Sequence, residues 1–350
     1  MNRTKVKKIS IGLAGVCFVL ALLPQLTESR YLMHLLVMSC INIMLGLSFS
    51  LLFSAGLVTI GAAGFWAIGA YTSALLVTRL DFSFWAALPL SGLAAALVAL
   101  VVGLVIVRTP GVAFIIQTMV INMILVQVFG NFEVFGSWAG LLDIPSPNPI
   151  GPLVFTGKVG SCYLVIVLLL LNILAFYALY TSRVGRAWSA IRLNARLAET
   201  LGVDLFLYRL AAFMISSAGA GLAGSFYAHY FQSLEPGMFS VFKSIYVQIY
   251  SILGGLNFYI IGPVLGSLIM TFVPEFLRVS REIEPIITGA ILVGLVIFLP
   301  GGILSLPERI RSFTILRSQS PRLAEGAKKE DPDFKLQKVE ETKGNSSWSE

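Results

Sequence analysis

Charge is scarce in this chain: Asp, Glu, Lys and Arg make up 12% of 350 residues. Soluble domains average about 25%, so a water-facing globular surface is excluded for most of the length. Cysteine is scarcer still. Cys17, Cys40 and Cys162 lie far apart inside apolar segments, with no C-x-x-C and no histidine beside them. A disulfide framework and a zinc site are therefore not indicated. The two histidines, His34 and His229, fall in or at the edge of apolar runs, where satisfying a local backbone group is a plainer role than catalysis. The nearest approach to a phosphate-binding loop, GPLVFTGKVG (151–160), has five residues between its glycines where four are needed. Val159 also stands where a Ser or Thr would hold Mg²⁺. Deep carboxylates are missing as well: Glu133, Glu235 and Glu275, with Lys243 and Arg278, all fall at the ends of apolar runs. An ion-coupled transporter normally carries at least one carboxylate within a span. No plausible acid, base, nucleophile or metal cluster remains, so the chain reads as no enzyme and as needing no cofactor.

Hydrophobic runs dominate what is there. The composition is 57% hydrophobic with a mean hydropathy of +0.85, which places the chain among multispanning membrane proteins. A span needs about 20 mostly apolar residues. Clear candidates are 31–53, 86–107, 161–180 and 210–230; weaker ones are 9–23, 56–78, 112–129, 244–256, 259–273 and 285–300. The predicted fold class is all-α, polytopic, with about ten transmembrane helices interrupted by broken glycine-rich segments. The start, MNRTKVKKIS, resembles the basic end of a signal peptide, but no small-x-small cleavage site follows. We read 9–23 as a retained first span with its basic end in the cytoplasm.

The net charge of +7 is a topology signal. Residues 317–350 hold seven basic and seven acidic side chains, so the excess lies in the membrane part. Twelve Lys and Arg fall on predicted cytoplasmic segments up to residue 316, against six outside, as the positive-inside rule requires. Nucleic acid is thus an unnecessary partner. Charge cannot separate nine spans from ten, because a single span over 244–273 leaves the same count.

Two domains follow. Residues 1–316 form the transmembrane domain, and 317–350, polar and nearly without apolar periodicity, are expected to form a disordered cytoplasmic tail. Residues 130–160 make the longest external connection, with turn signals at Pro145, Pro147 and Pro149. Glycine clusters at Gly56, Gly61, Gly64 and Gly69, and again at Gly254, Gly255, Gly262 and Gly266. Small residues let helices approach closely in lipid, which is the plainer role for most of them. Broken backbone around a cavity is the sharper one. On it, Gly56, Gly61, Gly64, Gly69, Gly254, Gly255 and Gly262 border the translocation pathway, and leucine at Gly61 or Gly69 blocks uptake without preventing insertion. Asn42, Gln117, Asn122, Gln127, Asn172 and Gln248 are neutral polar residues within spans, either pathway groups or interhelical contacts.

One stretch stands apart. VGRAWSAIRLNARLAETLGVDLFLYR carries four arginines and two acids between apolar runs. A helix over 188–201 places Ala190, Leu193, Leu197 and Leu201 on one apolar stripe and Arg192, Arg196 and Glu199 opposite. Gly202 suits the position that ends this helix, and Asp204 can cap the next span. Such a helix either ties two spans together or docks a cytoplasmic partner.

The segment GRAWSAIRLNARLAETLGVDLFLYRLAAFMISSAGAGLAGSFYAHY (185–230) resembles LivM-type membrane permease subunits of branched-chain amino acid ABC importers. GLVTIGAAGFWAIGAYTSALL is similar to that family's glycine-rich early span, RTPGVAFIIQTMVINM (108–123) to the segment after it, FGSWAGLLDIP (135–145) to its external loop and LGGLNFYIIGPVLGS (253–267) to its late glycine motif. Asn257 and Phe258 depart from the family's usual glycine and small polar residue, and Thr109-Pro110-Gly111 replaces a charged-glycine pair. The resemblance implies ten spans with both termini cytoplasmic, in a bacterial or archaeal inner membrane. It implies partners too: a second homologous permease subunit, cytoplasmic ATP-binding subunits, an extracytoplasmic solute-binding protein and the lipid bilayer itself. The ATPase subunits would dock on 183–205, through Arg186, Arg192, Arg196, Glu199 and Gly202. The implied cargo is a small polar solute, with branched-chain amino acids first and urea, amides or other small amino acids behind. The competing reading is a self-contained channel or facilitator for a small neutral solute, which needs no docking helix.

Overall fold

The computed structural model describes residues 29–109, 111–149, 158–255 and 259–276, together with Gly289 and Gly302. All belong to the unit Met1–Leu304; the second unit, Ser305–Glu350, holds none of them. The predicted spans 9–23 and 285–300 and the tail 317–350 thus lie outside the described residues.

Ten α-helices appear there: α1 Arg30–Ser54, α2 Ala62–Leu80, α3 Phe84–Ile106, α4 Val112–Asn131, α5 Lys158–Thr181, α6 Arg183–Leu193, α7 Ala195–Thr200, α8 Leu205–Phe231, α9 Val241–Gly254 and α10 Ile261–Phe276. Short 3-10 turns cover Glu133–Phe135, Ser137–Ala139 and Pro236–Phe239. No strand occurs among the described residues; Leu141 and Leu234 pair as an isolated antiparallel bridge. Five helices are long and apolar enough to cross a membrane: α1 from Tyr31, α3, α4, α5 from Val159, and α8.

Burial sorts these helices. The most apolar window of α1 is 89% buried, whereas that of α4 is 22% buried, so α1 is the central helix and α4 a peripheral one. The outer stripes of α3 (Leu93, Leu97, Val101) and α4 (Ile116, Val120, Ile124) are exposed and apolar, as lipid-facing helices require.

Small residues set the packing around α8. On α3, Gly92, Ala95, Ala99 and Gly103 recur at helical spacing and are buried. A Cβ on Gly221 of α8 would lie 2.7 Å from Ala95 Cβ. On the α2 side, a Cβ on Gly69 would lie 2.6 Å from the Gly221 carbonyl carbon. The run 216–225 therefore serves two close helix crossings at once, the packing that small residues permit in lipid.

The candidate span 56–78 is not one helix from its start. Gly56 has φ +76°, and the Gly56 and Leu57 N–H groups donate to Phe53 and Leu52 oxygens, a Schellman end to α1. Residues 57–61 then run without helix until α2 begins at Ala62. The orphan donors of this broken start find side chains elsewhere: Ile60 N–H donates to Thr118 Oγ1 at 3.2 Å, and Ala63 N–H to Ser244 Oγ at 2.9 Å.

The stretch 244–273 is two helices. The end of α9 and the start of α10 meet closely, where a Cβ on Gly254 would lie 2.8 Å from Gly262 Cα. Antiparallel order is fixed along α1, where Asn42 donates to Thr271 Oγ1 at 3.0 Å, Ser50 donates to Tyr259 O at 2.8 Å, and Tyr31 donates to Glu275. The α10 C-terminus thus shares the end of the bundle where α1 starts. At 14 and 16 residues, α9 and α10 reach about 21 and 24 Å, short of a full span.

Candidate functional site

The loop 183–205 folds differently from one continuous amphipathic helix. Ser182 caps α6, accepting from Gly185 N–H at 3.3 Å. Asn194 then takes an extended conformation (φ −157°, ψ 101°) and its side chain accepts from Leu197 N–H at 3.1 Å. The helix expected over 188–201 is therefore broken into α6 and α7, because Asn194 competes as an N-cap. The inward face also changes. Gly185, Trp188, Ile191 and Ala198 are buried, and Trp188 Nε1 donates to Tyr208 O at 2.7 Å. Leu193, Leu197 and Leu201 are instead 87%, 58% and 76% exposed. The leucine stripe faces outward.

Arg192 does not point away with Arg196 and Glu199. Its guanidinium sits 4.5 Å from the Phe53 ring centroid and 5.6 Å from that of Tyr259. Tyr259 in turn stacks on Tyr180 at 4.9 Å. Gly56 touches the same place, where an added Cβ would lie 3.7 Å from Arg192 Cα. Arg192 thus joins the loop to the end of α1 and to Tyr259 just ahead of α10, with cation–π contacts. Arg186, Arg196 and Glu199 remain exposed.

Gly202 has φ +84°, its N–H donates to Glu199 O at 2.9 Å, and Val203 N–H donates to Ala198 O at 3.1 Å. This is a second Schellman end. Asp204 caps α8, accepting from Leu207 N–H at 3.1 Å. Beside this junction lies an open cleft of about 770 Å³ lined by Arg108, Glu199, Asp204, Phe206 and Arg209 among others. Exposed leucines, scattered charge and a cleft together make a surface suited to a protein partner rather than to lipid.

The glycines fall into three settings. Gly61 and Gly64 lie flat against α4, where added Cβ atoms would meet Thr118 O at 2.7 Å and Asn122 Oδ1 at 2.8 Å. Gly69 belongs to the α2–α8 crossing. Gly254 and Gly255 at the end of α9 lie against Gly262 near the start of α10, and Gly255 has φ +110°. The body of α9 is tied to the break before α2, where Gln248 donates to Thr59 O, and to α1, where Ser251 donates to Gly46 O at 2.9 Å.

His229 has the structural role expected of it. Nδ1–H donates to Pro145 O at 2.7 Å, which leaves Nε2 to accept from Ser73 at 3.0 Å while Ser225 donates to Ser73 at 2.8 Å. A neutral imidazole satisfies every member, and the chain fastens the 141–149 connection to α2 and α8. His34 lies 3.0 Å from Tyr230 Oη.

Sequence patterning gave no sign of one feature. The turn Pro236–Phe239 enters between α2, α4 and α8, where Phe239 packs against Trp66 (centroids 4.9 Å), Tyr71 (6.0 Å) and Tyr227 (6.1 Å). Asn122 Nδ2 donates to Phe239 O at 3.4 Å. Glu235-Pro236-Gly237 signals a turn in the sequence, but nothing in it says that the turn points into the protein.

A helical membrane bundle with broken glycine segments and a capped, partly cationic loop defines a transport permease rather than an enzyme. Residues 31–299 match the family described as branched-chain amino acid transport system / permease component, and the chain belongs to that family. It is 30% identical over 311 residues to the high-affinity branched-chain amino acid transport system permease protein LivM of Escherichia coli, covering 82% of this chain and 73% of that protein. The probable branched-chain amino acid transport permease protein LivH of Methanocaldococcus jannaschii is 28% identical over 71% of this chain and 81% of its own length. A nucleoside ABC transporter permease protein, NupC of Lactococcus lactis, is 31% identical over 49% of this chain and 59% of its own. No solved structure matches.

Proposed function

We propose that the chain is the membrane-spanning permease subunit of an ABC importer that moves branched-chain amino acids, driven by separate ATPase subunits. The outward leucine ridge of α6–α7 carries the proposal. Leu193, Leu197 and Leu201 stand exposed on the same loop as the exposed Arg196 and Glu199, which is too charged to lie in lipid. An ATPase subunit is the partner that this ridge suits, and Arg192 links it to the broken segments around Gly56 and Gly254–Gly255. Those segments border the pathway in this proposal, with Gly61, Gly64 and Gly262; Gly69 holds the α2–α8 crossing beside it. A sister permease subunit and an external solute-binding protein complete the importer. The 183–205 end and both termini face the cytoplasm of a bacterial or archaeal cell, with residues 317–350 as a polar cytoplasmic tail.

Reconstitution tests this. Proteoliposomes holding the complete importer should take up labelled leucine only with ATP and the binding protein. Equal uptake without ATP would make the chain a facilitator instead.

A further inference from the structure

Three buried polar atoms around the turn Pro236–Phe239 have no hydrogen-bond partner among the described residues: Trp66 Nε1, Tyr71 Oη and Asn122 Oδ1. Their residues are only 5%, 0% and 0% exposed. Buried polar groups are otherwise almost always satisfied, and an orphaned one costs more than a bond made in water returns. All three residues contact Phe239. Trp66 and Tyr71 touch the Phe239 phenyl, and Asn122 holds the Phe239 carbonyl. Tyr227 and Phe129 close the sides, with Tyr227 4.7 Å from Trp66 and Phe129 stacked 4.4 Å from Tyr71.

The turn that delivers Phe239 is short, and α9 starts two residues later. Its N-cap, Ser240, makes no side-chain cap bond, so the positive end of α9 adjoins this cluster. Lys243 is exposed one turn along. The opposing α2 also starts here, since Ala63 N–H donates to Ser244. Two half-helices beginning beside one cluster is an arrangement that suits an anionic group.

We propose that this cluster is the chamber an α-amino acid occupies in transit, and that Phe239 fills it when it is empty. The assignment rests on the importer function proposed above. The hydrogen-bonding inventory is complementary, while the Glu235 carboxylate, whose charge reaches Tyr71 and Tyr227, favours the ammonium end over the carboxylate on that side. An indole N–H and a phenol O–H are donors for a carboxylate, and an amide oxygen is an acceptor for an ammonium group. The faces of Trp66, Tyr71 and Tyr227 take an aliphatic side chain and favour the nearby positive charge. Bulk solvent is absent, so neutral groups suffice to hold a zwitterion whose own charges oppose. Phe239 must swing aside for entry, and Gly237, with nothing within 4 Å of an added Cβ, gives its turn room to move.

The test uses the complete importer in proteoliposomes, with labelled leucine and saturating binding protein. Leucine moved per ATP hydrolysed is measured for Trp66→Phe, Tyr71→Phe and Asn122→Leu, beside the melting temperature of each purified permease. Each variant should lose roughly tenfold or more in leucine per ATP, the worth of a hydrogen bond to a charged group; melting should be unchanged or raised in Trp66→Phe and Tyr71→Phe, and lowered in Asn122→Leu, which also removes the bond to Phe239 O. Simple core packing makes the opposite forecast, because removing an orphaned polar atom from a core leaves transport intact. Phe239→Ala, or Phe239→Leu should the first not fold, is expected to leak leucine down its gradient without ATP. Wild-type coupling in both Trp66→Phe and Tyr71→Phe would overturn the chamber alone. A wild-type complex that moves no leucine would overturn the importer function and the chamber with it.

Discussion

Gly69→Ala should destabilise the protein although alanine is the better helix former. In an open helix the change gains about 1 kcal/mol. At position 69 the new Cβ would lie 2.6 Å from the Gly221 carbonyl carbon, with the Gly221 oxygen and Cα closer still. Ordinary contact begins near 3.4 Å, so α2 and α8 must separate by at least 0.8 Å at the crossing (3.4 − 2.6). The obstacle is backbone, which cannot rotate away as a side-chain tip could. A radial gap of about 0.5–1 Å forfeits a quarter to a half of each dispersion well along the seam. The same seam holds Gly224, where an added Cβ would lie 2.8 Å from Ala70 N, and Gly221 also abuts Ala95 of α3. Overpacking costs about 1–3 kcal/mol in general, and this site should lie at the upper end, exceeding the propensity gain. Gly237→Ala is the control: nothing lies within 4 Å, so a change within about 0.5 kcal/mol is expected. Melting of the detergent-purified protein, followed by size-exclusion recovery after heating, measures both. Should Gly69→Ala melt with the wild type, the close crossing is not real. Gly69→Leu is correspondingly expected to fail in folding, rather than to insert normally with its transport blocked.

The remaining tests concern the loop and the tail. Reversing charge at Arg196 together with Arg192 should abolish binding-protein-stimulated ATP hydrolysis and uptake together, with insertion intact; normal stimulation would reduce the loop to a tether. Of the two, Arg192→Ala alone should also raise protease sensitivity within 183–205, because it removes the contacts to Phe53 and Tyr259; Arg196→Ala should not. Gly202→Val forces a β-branched residue into φ +84° at a cost of about 1–2 kcal/mol or more, and uncoupled ATP hydrolysis is expected. Normal coupling there would separate the Schellman end from function. A chain ending at Leu316 should support wild-type uptake, and insertion without uptake would make 317–350 a partner site.

What the sequence disclosed follows from which forces act over short range. Apolar length alone located α1, α3, α5 and α8 to within a few residues, because crossing hydrocarbon sets a minimum run that few other segments meet. Local capping was equally visible at Gly202 and Asp204, where the decisive atoms are within four residues of one another. The break at Asn194 was local too, and an Asn six residues before a Thr-Leu-Gly terminus could have suggested it; the helical periodicity outweighed it. Periodicity also left open what the leucine stripe faces. A helix wheel says which residues share a face, but the solvent for that face is chosen by tertiary neighbours, and Trp188 and Ile191 occupied the inner side first. Glycine was legible only as permission. Gly56, Gly69 and Gly254 look alike in sequence, yet one ends a helix, one admits a neighbouring backbone and one lets the end of α9 meet the start of α10. The Phe239 cluster was invisible for the same reason in stronger form: Trp66, Tyr71, Asn122 and Phe239 come from three separate elements up to 173 residues apart (239 − 66). What betrays it is the absence of hydrogen-bond partners for three buried atoms, and an absence of that kind exists only once the chain is folded.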